Sequence, residues 1–371
     1  MFRKPPTTSS RIKRDVSRRQ ISLEKKPQAP PRRRFFNLFT KDMAMDLGTA
    51  NTLIYVKGEG IVLNEPSVVA YHADTKEVLA VGREAKSYMG RTPRNIIAQR
   101  PLKDGVIADF EVTRHMIREF FLRVQRMGRF FKPTVVICVP AGITQVEKRA
   151  VVEAADEAGV GKVFLIEEPV AAAIGTGLDI SENKGQMIID IGGGTTEVAV
   201  LSLFSVAYSE SVRVAGDEVN EAIMRYLLKK HQLLVGENTA EVCKIKAGSA
   251  FPVEGLPAGY LISGKDAIHN TPKDVTLSPE EIREAIAEPV AAVVEAVHRA
   301  CEKTPPDLLT DIHADGIHMA GGGSLLKGLD ALITHETQIR CQLAEDPLTT
   351  IVMGSGIALE DLDKYRRVFV N

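Results

Sequence analysis

Met45-Asp-Leu-Gly-Thr-Ala-Asn-Thr52 ends a short apolar run with a carboxylate, a glycine and two hydroxyl side chains. Residues 53–56 follow directly and combine β-branched and aromatic side chains, which is typical of a strand. Because strand-like sequence lies on both sides of the glycine, the pattern predicts a β-hairpin. Asp46 is then expected at the end of the first strand of this hairpin.

The same order of residue types returns in Asp190-Ile-Gly-Gly-Gly-Thr-Thr-Glu197. Glycine lets backbone N–H groups approach an anion closely, so Gly48 in the first turn and Gly192–Gly194 in the second suggest phosphate binding. If the two hairpins face each other, they can hold the phosphate tail of a nucleotide between two domains. Asp46 and Asp190 would then hold Mg²⁺, either directly or through its water molecules.

A third glycine-rich turn, Gly321-Gly-Gly-Ser324, precedes a predicted helix. The N-terminus of a helix favours negative charge, so this turn is expected near a phosphate or ribose. The Walker pattern is absent from the chain, and the first two glycine turns precede strands instead of helices. A single Asp–Gly turn is usually an ordinary turn, but three such features in one chain favour nucleotide binding.

Elsewhere the sequence alternates between helical and strand patterns. Ser278-Pro-Glu-Glu281 is a capping box that predicts a helix to about residue 303 despite Pro289. The alternation and the repeated hairpin together predict an α/β fold with an internal duplication. The other predicted helices cover residues 116–126, 144–157 and 169–175, and the predicted strands cover residues 134–139, 162–166, 186–190, 197–203 and 316–320.

Charge separates the beginning of the chain from the rest. Residues 1–41 hold 13 Lys or Arg and two acidic residues, whereas the whole chain of 371 residues has a net charge of −1. Residues 1–34 are also rich in proline and poor in apolar side chains, which predicts disorder. Four cysteines without paired spacing suit a reducing cytosol, and neither a secretory signal nor an apolar run of 18 residues is found.

Two aromatic clusters are candidates for membrane contact. Phe35, Phe36, Leu38 and Phe39 follow three arginines, a combination that suits an anionic interface. Phe130 and Phe131 lie in a second apolar segment after an amphipathic helix. Packing of both clusters against the protein body remains the alternative. Sequence-specific nucleic-acid binding is not expected, because no stacking pattern or fold signature accompanies the basic residues.

Long stretches resemble one known group of proteins: residues 46–57, 60–70, 101–110, 165–175, 190–200 and 320–330. They are similar to the actin, heat-shock-chaperone and sugar-kinase ATPase superfamily, and within it to the MreB family of bacterial actin homologues. The resemblance runs from about residue 41 to about residue 365. It implies an actin-like ATPase fold that binds ATP or ADP with Mg²⁺ in a cleft between two duplicated α/β domains. It further implies a filament, weak ATP hydrolysis coupled to polymerisation, and a role in cell-wall elongation and rod shape.

The resemblance also implies roles for individual residues. Glu168 matches the residue that orients the attacking water, with assistance from Thr195, and Asp46 and Asp190 match the carboxylates on the magnesium side. As an alternative for Glu168, Glu167 and Glu168 form a solvated pair before Pro169. The nucleotide contacts implied are Gly48, Thr49, Ala50 and Asn51 in the first loop, Gly192, Gly193, Gly194 and Thr195 in the second, Gly216, Asp217, Glu241 and Lys244 beyond it, and Gly321, Gly322, Gly323 and Ser324 in the last.

Some positions depart from the family pattern. An arginine is usual between Glu241 and Lys244, whereas this chain has Val242 and Cys243, which leaves base affinity and selectivity open. Ala215 replaces a glycine, a mild change. The basic segment 1–40 is longer than the usual N-terminus of the family, and the resemblance says nothing about it. The small residues 171–173 suit either core packing or an interdomain hinge helix.

We therefore expect a basic, largely disordered segment over residues 1–40 that ends in an amphipathic stretch. A first domain is expected over 41–174, completed by about 336–371, and a second over 175–335. The expected partners are further copies of the chain, anionic lipids at the inner face of the cytoplasmic membrane and cell-wall elongation proteins, in a cytoplasmic, membrane-peripheral location. A monomeric ATP-dependent kinase or a chaperone-like ATPase of the same superfold is the alternative, although the chain ends at Asn371 without an obvious substrate-binding domain. Self-association distinguishes these alternatives.

Overall fold

Two antiparallel hairpins lie at the centres of two five-stranded sheets. The computed structural model describes residues 1, 41–103, 105–124 and 132–370. Its strands are β1 Met43–Leu47, β2 Asn51–Val56, β3 Gly60–Pro66, β4 Val69–His72, β5 Val78–Val81, β6 Ile96–Gln99, β7 Leu102–Lys103, β8 Val106–Ile107, β9 Thr134–Val139, β10 Lys162–Glu167, β11 Gln186–Ile191, β12 Thr196–Ser202, β13 Ser205–Val212, β14 Leu233–Leu234, β15 Tyr260–Asp266, β16 Pro272–Leu277, β17 Ile317–Ala320 and β18 Cys341–Leu343.

The two large sheets have the same topology. The first has the order β3-β2-β1-β9-β10 and the second the order β13-β12-β11-β17-β18. In each sheet the hairpin strands pair antiparallel, and the next two strands add in parallel to the first hairpin strand. Parallel neighbours require long crossover connections, which the intervening helices provide. The predicted internal duplication is therefore confirmed.

Helices cover both sheets. Apolar side chains of α2 and α3 pack against the first sheet, and those of α5 and α8 pack against the second. These elements belong to one compact unit. The helices are α1 Arg83–Tyr88, α2 Phe110–Val124, α3 Gln145–Glu157, α4 Glu168–Gly175, α5 Gly216–His231, α6 Glu237–Ala247, α7 Pro279–Ala285, α8 Ala287–Lys303, α9 Pro306–Asp315, α10 Leu329–Thr337 and α11 Thr350–Glu360, with 3₁₀ turns at Gly322–Leu325 and Arg366–Val368.

Helices α4 and α11 form the core between the two sheets, and their backbones touch. A Cβ atom added to Gly175 would lie 1.9 Å from the carbonyl oxygen of Thr350, and one added to Gly354 would lie 1.8 Å from that of Ala171. Only glycine permits so close an approach. Because α4 begins at Glu168, this contact also helps to position the backbone at Glu168. Residues 171–173 are fully buried, as core packing requires, and a hinge role for them stays a prediction.

Two local predictions need correction. The capping box at Ser278 and Glu281 forms as expected, but the following helix breaks at Ile286 into α7 and α8. Pro289 explains the break, since its ring would clash with the carbonyl of residue 285 and it has no N–H to donate. The turn after β17 leads into a 3₁₀ turn of four residues, and α10 begins only at Leu329.

Some predictions concern residues outside the part of the chain that the structure describes. Phe35, Phe36, Leu38 and Phe39 of the first aromatic cluster, and Phe130 and Phe131 of the second, lie outside the described residues. Within the described ranges, no helix is long and apolar enough to cross a membrane. The domain boundaries also stay a prediction. Strand β18 extends the second sheet, whereas α11 packs on β1, β2 and β9 of the first.

Candidate functional site

The two hairpin turns lie face to face. A Cβ atom added to Gly193 in the second turn would lie 2.9 Å from the Cβ atom of Ala50 in the first. Within the first turn, a Cβ atom at Gly48 would lie 2.7 Å from the carbonyl oxygen of Asn51. Gly48 therefore lets the first turn close tightly, and Gly193 lets the two turns approach one another.

Four carboxylates are buried around these turns. Asp46 lies near the end of β1 and Asp190 near the end of β11, while Glu168 begins α4 and Glu197 lies on β12. Each of the four is at most 7% exposed. Buried carboxylates without cationic partners are costly, so such a cluster indicates a site for a cation or for proton chemistry.

The pKa values of the cluster reflect this burial. Burial, with a further contribution from the Asp190 carboxylate, raises the pKa of Asp46 to about 7. Burial likewise raises the pKa of Asp190 to about 7. Burial and the neighbouring Glu197, Asp190 and Asp46 carboxylates raise the pKa of Glu168 well above its ordinary value. The carboxylates thus repel one another electrostatically, and a cation among them would favour their ionised forms.

Glu197 is a site residue that the sequence reasoning missed. Burial, followed by the Asp190 carboxylate, raises its pKa to about 8. Its Oε1 accepts a hydrogen bond of 3.0 Å from the backbone N–H of Ala141, while its buried Oε2 has no hydrogen-bond partner among the described residues. A signal was present in the sequence, because Glu197 is the one charged residue of β12. In the hairpin register it lies opposite Asp190.

A cavity of about 480 Å³ opens beside the turns and the carboxylates. Of the predicted residues, Gly194, Gly321 and Ser324 do not line it. The buried Ser324 hydroxyl donates instead to the Gly321 carbonyl oxygen at 2.6 Å. The predicted residues that do line the cavity are Asp46, Gly48, Thr49, Ala50, Asn51, Glu168, Asp190, Gly192, Gly193, Thr195, Gly216, Asp217, Glu241, Lys244, Gly322 and Gly323.

Part of the cavity wall is formed by α5, α6 and their neighbours. Lys244 Nζ donates to the carbonyl oxygen of Gly216 at 2.8 Å, and burial lowers the pKa of this lysine. Between Glu241 and Lys244, Val242 is exposed and Cys243 is buried in the core, and neither lines the cavity. The cavity wall instead includes Arg100, which the sequence reasoning also missed.

Arg100 carried no local sequence signal. It follows β6 and makes its ion pairs with Asp217 and Glu237, which are far away in the chain. Such a contact depends on the tertiary structure, so no spacing or periodicity could have found it.

The carboxylates of the site suit a Mg²⁺ ion that takes its other ligands from a nucleotide and from water. Among the described residues, no three His, Cys, Asp or Glu side chains converge to hold a metal ion by themselves. Mg²⁺ usually takes one or two protein carboxylates, with water and phosphate oxygens as its other ligands. Asp46 and Asp190 offer such carboxylates, and Asp190 Oδ1 is buried without a hydrogen-bond partner in the described part of the chain.

Comparisons with known proteins agree with this geometry. The MreB/Mbl protein family matches residues 40–367 of the chain. The chain belongs to the MreB/Mbl family. It is 51% identical over 339 residues to the cell shape-determining protein MreB of Escherichia coli (strain K12), covering 90% of this chain and 97% of that protein. It is 46% identical over 327 residues to the cell shape-determining protein Mbl of Bacillus subtilis (strain 168), covering 88% and 98% of the two chains.

Solved structures place this MreB/Mbl member among the actin-like proteins. Spiroplasma citri MreB5 bound to ADP superposes with a TM-score of 0.83 at 35% identity, covering 87% of this chain and 97% of that chain. The MamK double helical filament gives a TM-score of 0.74 at 23% identity, covering 86% of this chain and 99% of that chain, and shows a shared fold. The predicted actin-like α/β fold and the predicted family are therefore confirmed.

Proposed function

We propose that this MreB/Mbl member binds ATP or ADP with Mg²⁺ between its two hairpin turns, hydrolyses ATP slowly and polymerises into filaments. The observation that carries the proposal is the pair of facing glycine turns surrounded by four buried carboxylates beside one cavity. MreB5 of Spiroplasma citri has been solved with both ADP and AMPPNP, which supports a nucleotide in this position.

The phosphate tail would lie between the first turn, Thr49–Asn51, and the second turn at Gly192 and Gly193. Backbone N–H groups of these turns would bind the phosphate oxygens. Asp46 and Asp190 would hold Mg²⁺ through its water molecules or directly, and the ion would neutralise charge on the phosphates. Lys244 and Glu241 would lie at the nucleoside end of the cavity.

Glu168 is the residue that we assign to the attacking water. It is buried, it lines the cavity, and its elevated pKa makes its ionised form a good proton acceptor. Thr195 lines the same cavity from the second turn and would orient the water with its hydroxyl group. Phosphoryl transfer to water needs mainly such positioning and charge neutralisation.

In the cell, the proposed filaments lie at the inner face of the cytoplasmic membrane and organise cell-wall elongation, which maintains rod shape. The naming of MreB and Mbl relatives as cell shape-determining proteins supports this role. Phe35, Phe36, Leu38 and Phe39 after three arginines support contact with anionic lipids, and Phe130 and Phe131 offer a second contact.

Sedimentation with parallel measurement of phosphate release tests the proposal. The full chain is centrifuged with Mg-ATP, Mg-ADP or no nucleotide, with and without anionic or neutral vesicles. We expect a pelleted fraction that rises above a critical protein concentration with ATP and increases with anionic vesicles. Protein that stays in the supernatant in every condition, yet releases phosphate, would support the monomeric ATPase alternative.

Glu168→Gln sharpens the test of hydrolysis. Removal of a general base should lower phosphate release about 100-fold or more and leave ATP affinity within a few-fold. Glu167→Gln is the matched control, because Glu167 is adjacent in sequence, does not line the cavity and makes no side-chain cap of α4. Equal rates for the two variants would remove Glu168 from the mechanism.

A further inference from the structure

Arg100 connects two parts of the molecule that are distant in sequence. It follows β6, an edge strand of the small sheet β5-β4-β6. Its Nη1 donates to Asp217 Oδ2 at 2.5 Å, and its Nη2 donates to Glu237 Oε1 at 2.9 Å. Asp217 lies in the first turn of α5, and Glu237 is the first residue of α6. One guanidinium group thus joins the small sheet to two helices of the other half.

The ion pair between Arg100 and Asp217 lies in the wall of the cavity. Arg100 and Asp217 both line it, whereas Glu237 does not. Asp217 is also tied to the second hairpin turn, because its backbone N–H donates to the Gly193 carbonyl oxygen at 2.8 Å. A second, longer ion pair of 3.8 Å joins Lys86 on α1 to Glu241 on α6. These ion pairs therefore connect the region of the small sheet to α5 and α6 beside the cavity.

The ion pairs of Arg100 with Asp217 and Glu237, which we call the Arg100 bridge, are also better shielded from water than an ordinary surface ion pair. The side chains of Arg100, Asp217 and Glu237 are 18%, 26% and 40% exposed. Partial shielding from water strengthens such an interaction, whereas fully exposed pairs contribute little. The planar guanidinium satisfies two carboxylates at once, which a lysine ammonium cannot do with the same geometry.

We propose that Arg100 is a positioning residue for the nucleotide: its bridge to Asp217 and Glu237 closes the cavity over the bound nucleoside and slows nucleotide release. This inference rests on the proposed nucleotide binding. Opening the cavity requires the ion pairs to break, so their strength sets part of the barrier to release. The bridge acts through Asp217 and through the separation of the two walls.

A purely structural role would predict a different result. If the bridge only stabilised the fold, its loss would lower the free energy of unfolding and leave the release rate of bound nucleotide unchanged. If it closes the cavity, its loss would accelerate release even under conditions in which the variant is fully folded. Release rate and unfolding free energy must therefore be measured on the same variants.

The experiment measures release of a fluorescent ATP analogue, in the presence of Mg²⁺, by stopped-flow displacement with excess ATP. The variants are Arg100→Ala, Arg100→Lys, Glu237→Gln and the double variant Arg100→Ala/Glu237→Gln. Arg114→Ala is the matched control, because Arg114 pairs with Glu111 and Glu157 and does not line the cavity. Urea unfolding of each variant gives its stability.

We expect release from Arg100→Ala to be about tenfold faster, the scale of a partly buried ion pair, with an intermediate rate for Arg100→Lys. Glu237→Gln, which keeps the side-chain shape, should accelerate release about threefold, and the double variant should release no faster than Arg100→Ala. Release from Arg100→Ala and Glu237→Gln within twofold of the wild type would overturn the inference. Wild-type protein that does not bind the analogue would overturn the proposed nucleotide binding itself.

Discussion

The two hairpin turns each place an aspartate at the same register position but are supported by different neighbours. In the first turn, the Ser67 hydroxyl donates to the Gly48 carbonyl oxygen at 2.6 Å and lies 2.8 Å from the Thr52 hydroxyl. In the second turn, the Gly192 and Gly193 carbonyl oxygens accept from the backbone N–H groups of Gly216 and Asp217 at 3.3 and 2.8 Å. Side chains of its own sheet region thus hold the first turn, whereas the start of α5 holds the second.

This difference has a mechanical consequence. The first turn is fixed to residues just beyond β3, so we expect a change there to remain local. The second turn is fixed to the beginning of α5, where Asp217 pairs with Arg100. A displacement of the second turn would therefore reach the Arg100 bridge. Three predictions test the two turns and the contrast between them.

The largest expected effect concerns the two aspartates in protein free of metal and nucleotide. Their pKa values rise from 3.8 in the unfolded chain to about 7 in the folded protein. Between these pH values the folded state binds more protons, so the free energy of unfolding falls as pH rises from about 4 to about 7. Above pH 7, each elevated pKa lowers the free energy of unfolding by at most about 4 kcal/mol.

Asp46→Asn and Asp190→Asn should therefore stabilise the free protein at pH 7.5, as measured by urea unfolding in EDTA, and flatten the dependence on pH. Asp190→Asn should have the larger effect, since the Asp190 carboxylate also raises the pKa of Asp46. Asp74→Asn, at an exposed position, is the control. Stability that is equal at pH 5 and pH 7.5 in all these proteins would contradict the burial argument.

The second effect concerns the contact between the turns. Gly193→Ala would place a methyl group 2.9 Å from the Ala50 Cβ atom, so we expect a loss of about 1–3 kcal/mol in the free energy of unfolding. Gly192→Ala is the matched control, because its added Cβ atom would meet only the Thr195 carbonyl oxygen at an ordinary 3.4 Å. Ala50→Gly should restore most of the loss in Gly193→Ala. Failure of that rescue would mean that the turns do not press on each other.

The sequence predicts the two hairpins well because their signals are local. Each has an aspartate, a glycine turn and strand residues within about ten positions, and the structure forms both hairpins. The capping box at Ser278 is also local, and it forms. The predicted helix after it is too long, because Pro289 ends the first helical segment at Ile286.

The residues that sequence reasoning missed depend on distant contacts. Arg100 acquires its role only when Asp217 and Glu237 are brought beside it. Glu197 could have been found, because hairpin pairing puts it opposite Asp190, but its bond with Ala141 depends on a loop of the first half. Gly194 and Ser324 share motifs with residues that line the cavity but do not line it themselves. A motif thus indicates a turn more reliably than it identifies each contact within the turn.

The smallest expected effect concerns the support of the first turn. Ser67→Ala removes a fully buried hydroxyl that bonds with both the Gly48 carbonyl and the Thr52 hydroxyl. We therefore expect the free energy of unfolding, measured with urea, to fall by about 1 kcal/mol.

Thr196→Val is the counterpart in the second hairpin, where the Thr196 hydroxyl donates to the Val214 carbonyl oxygen at 2.7 Å, just before α5. Thr196→Val should lower the free energy of unfolding by a similar amount. It should also accelerate nucleotide release, because Val214 lies next to the segment that carries Asp217. Faster release from Ser67→Ala than from Thr196→Val would reverse the contrast between a locally held turn and a turn connected to the Arg100 bridge.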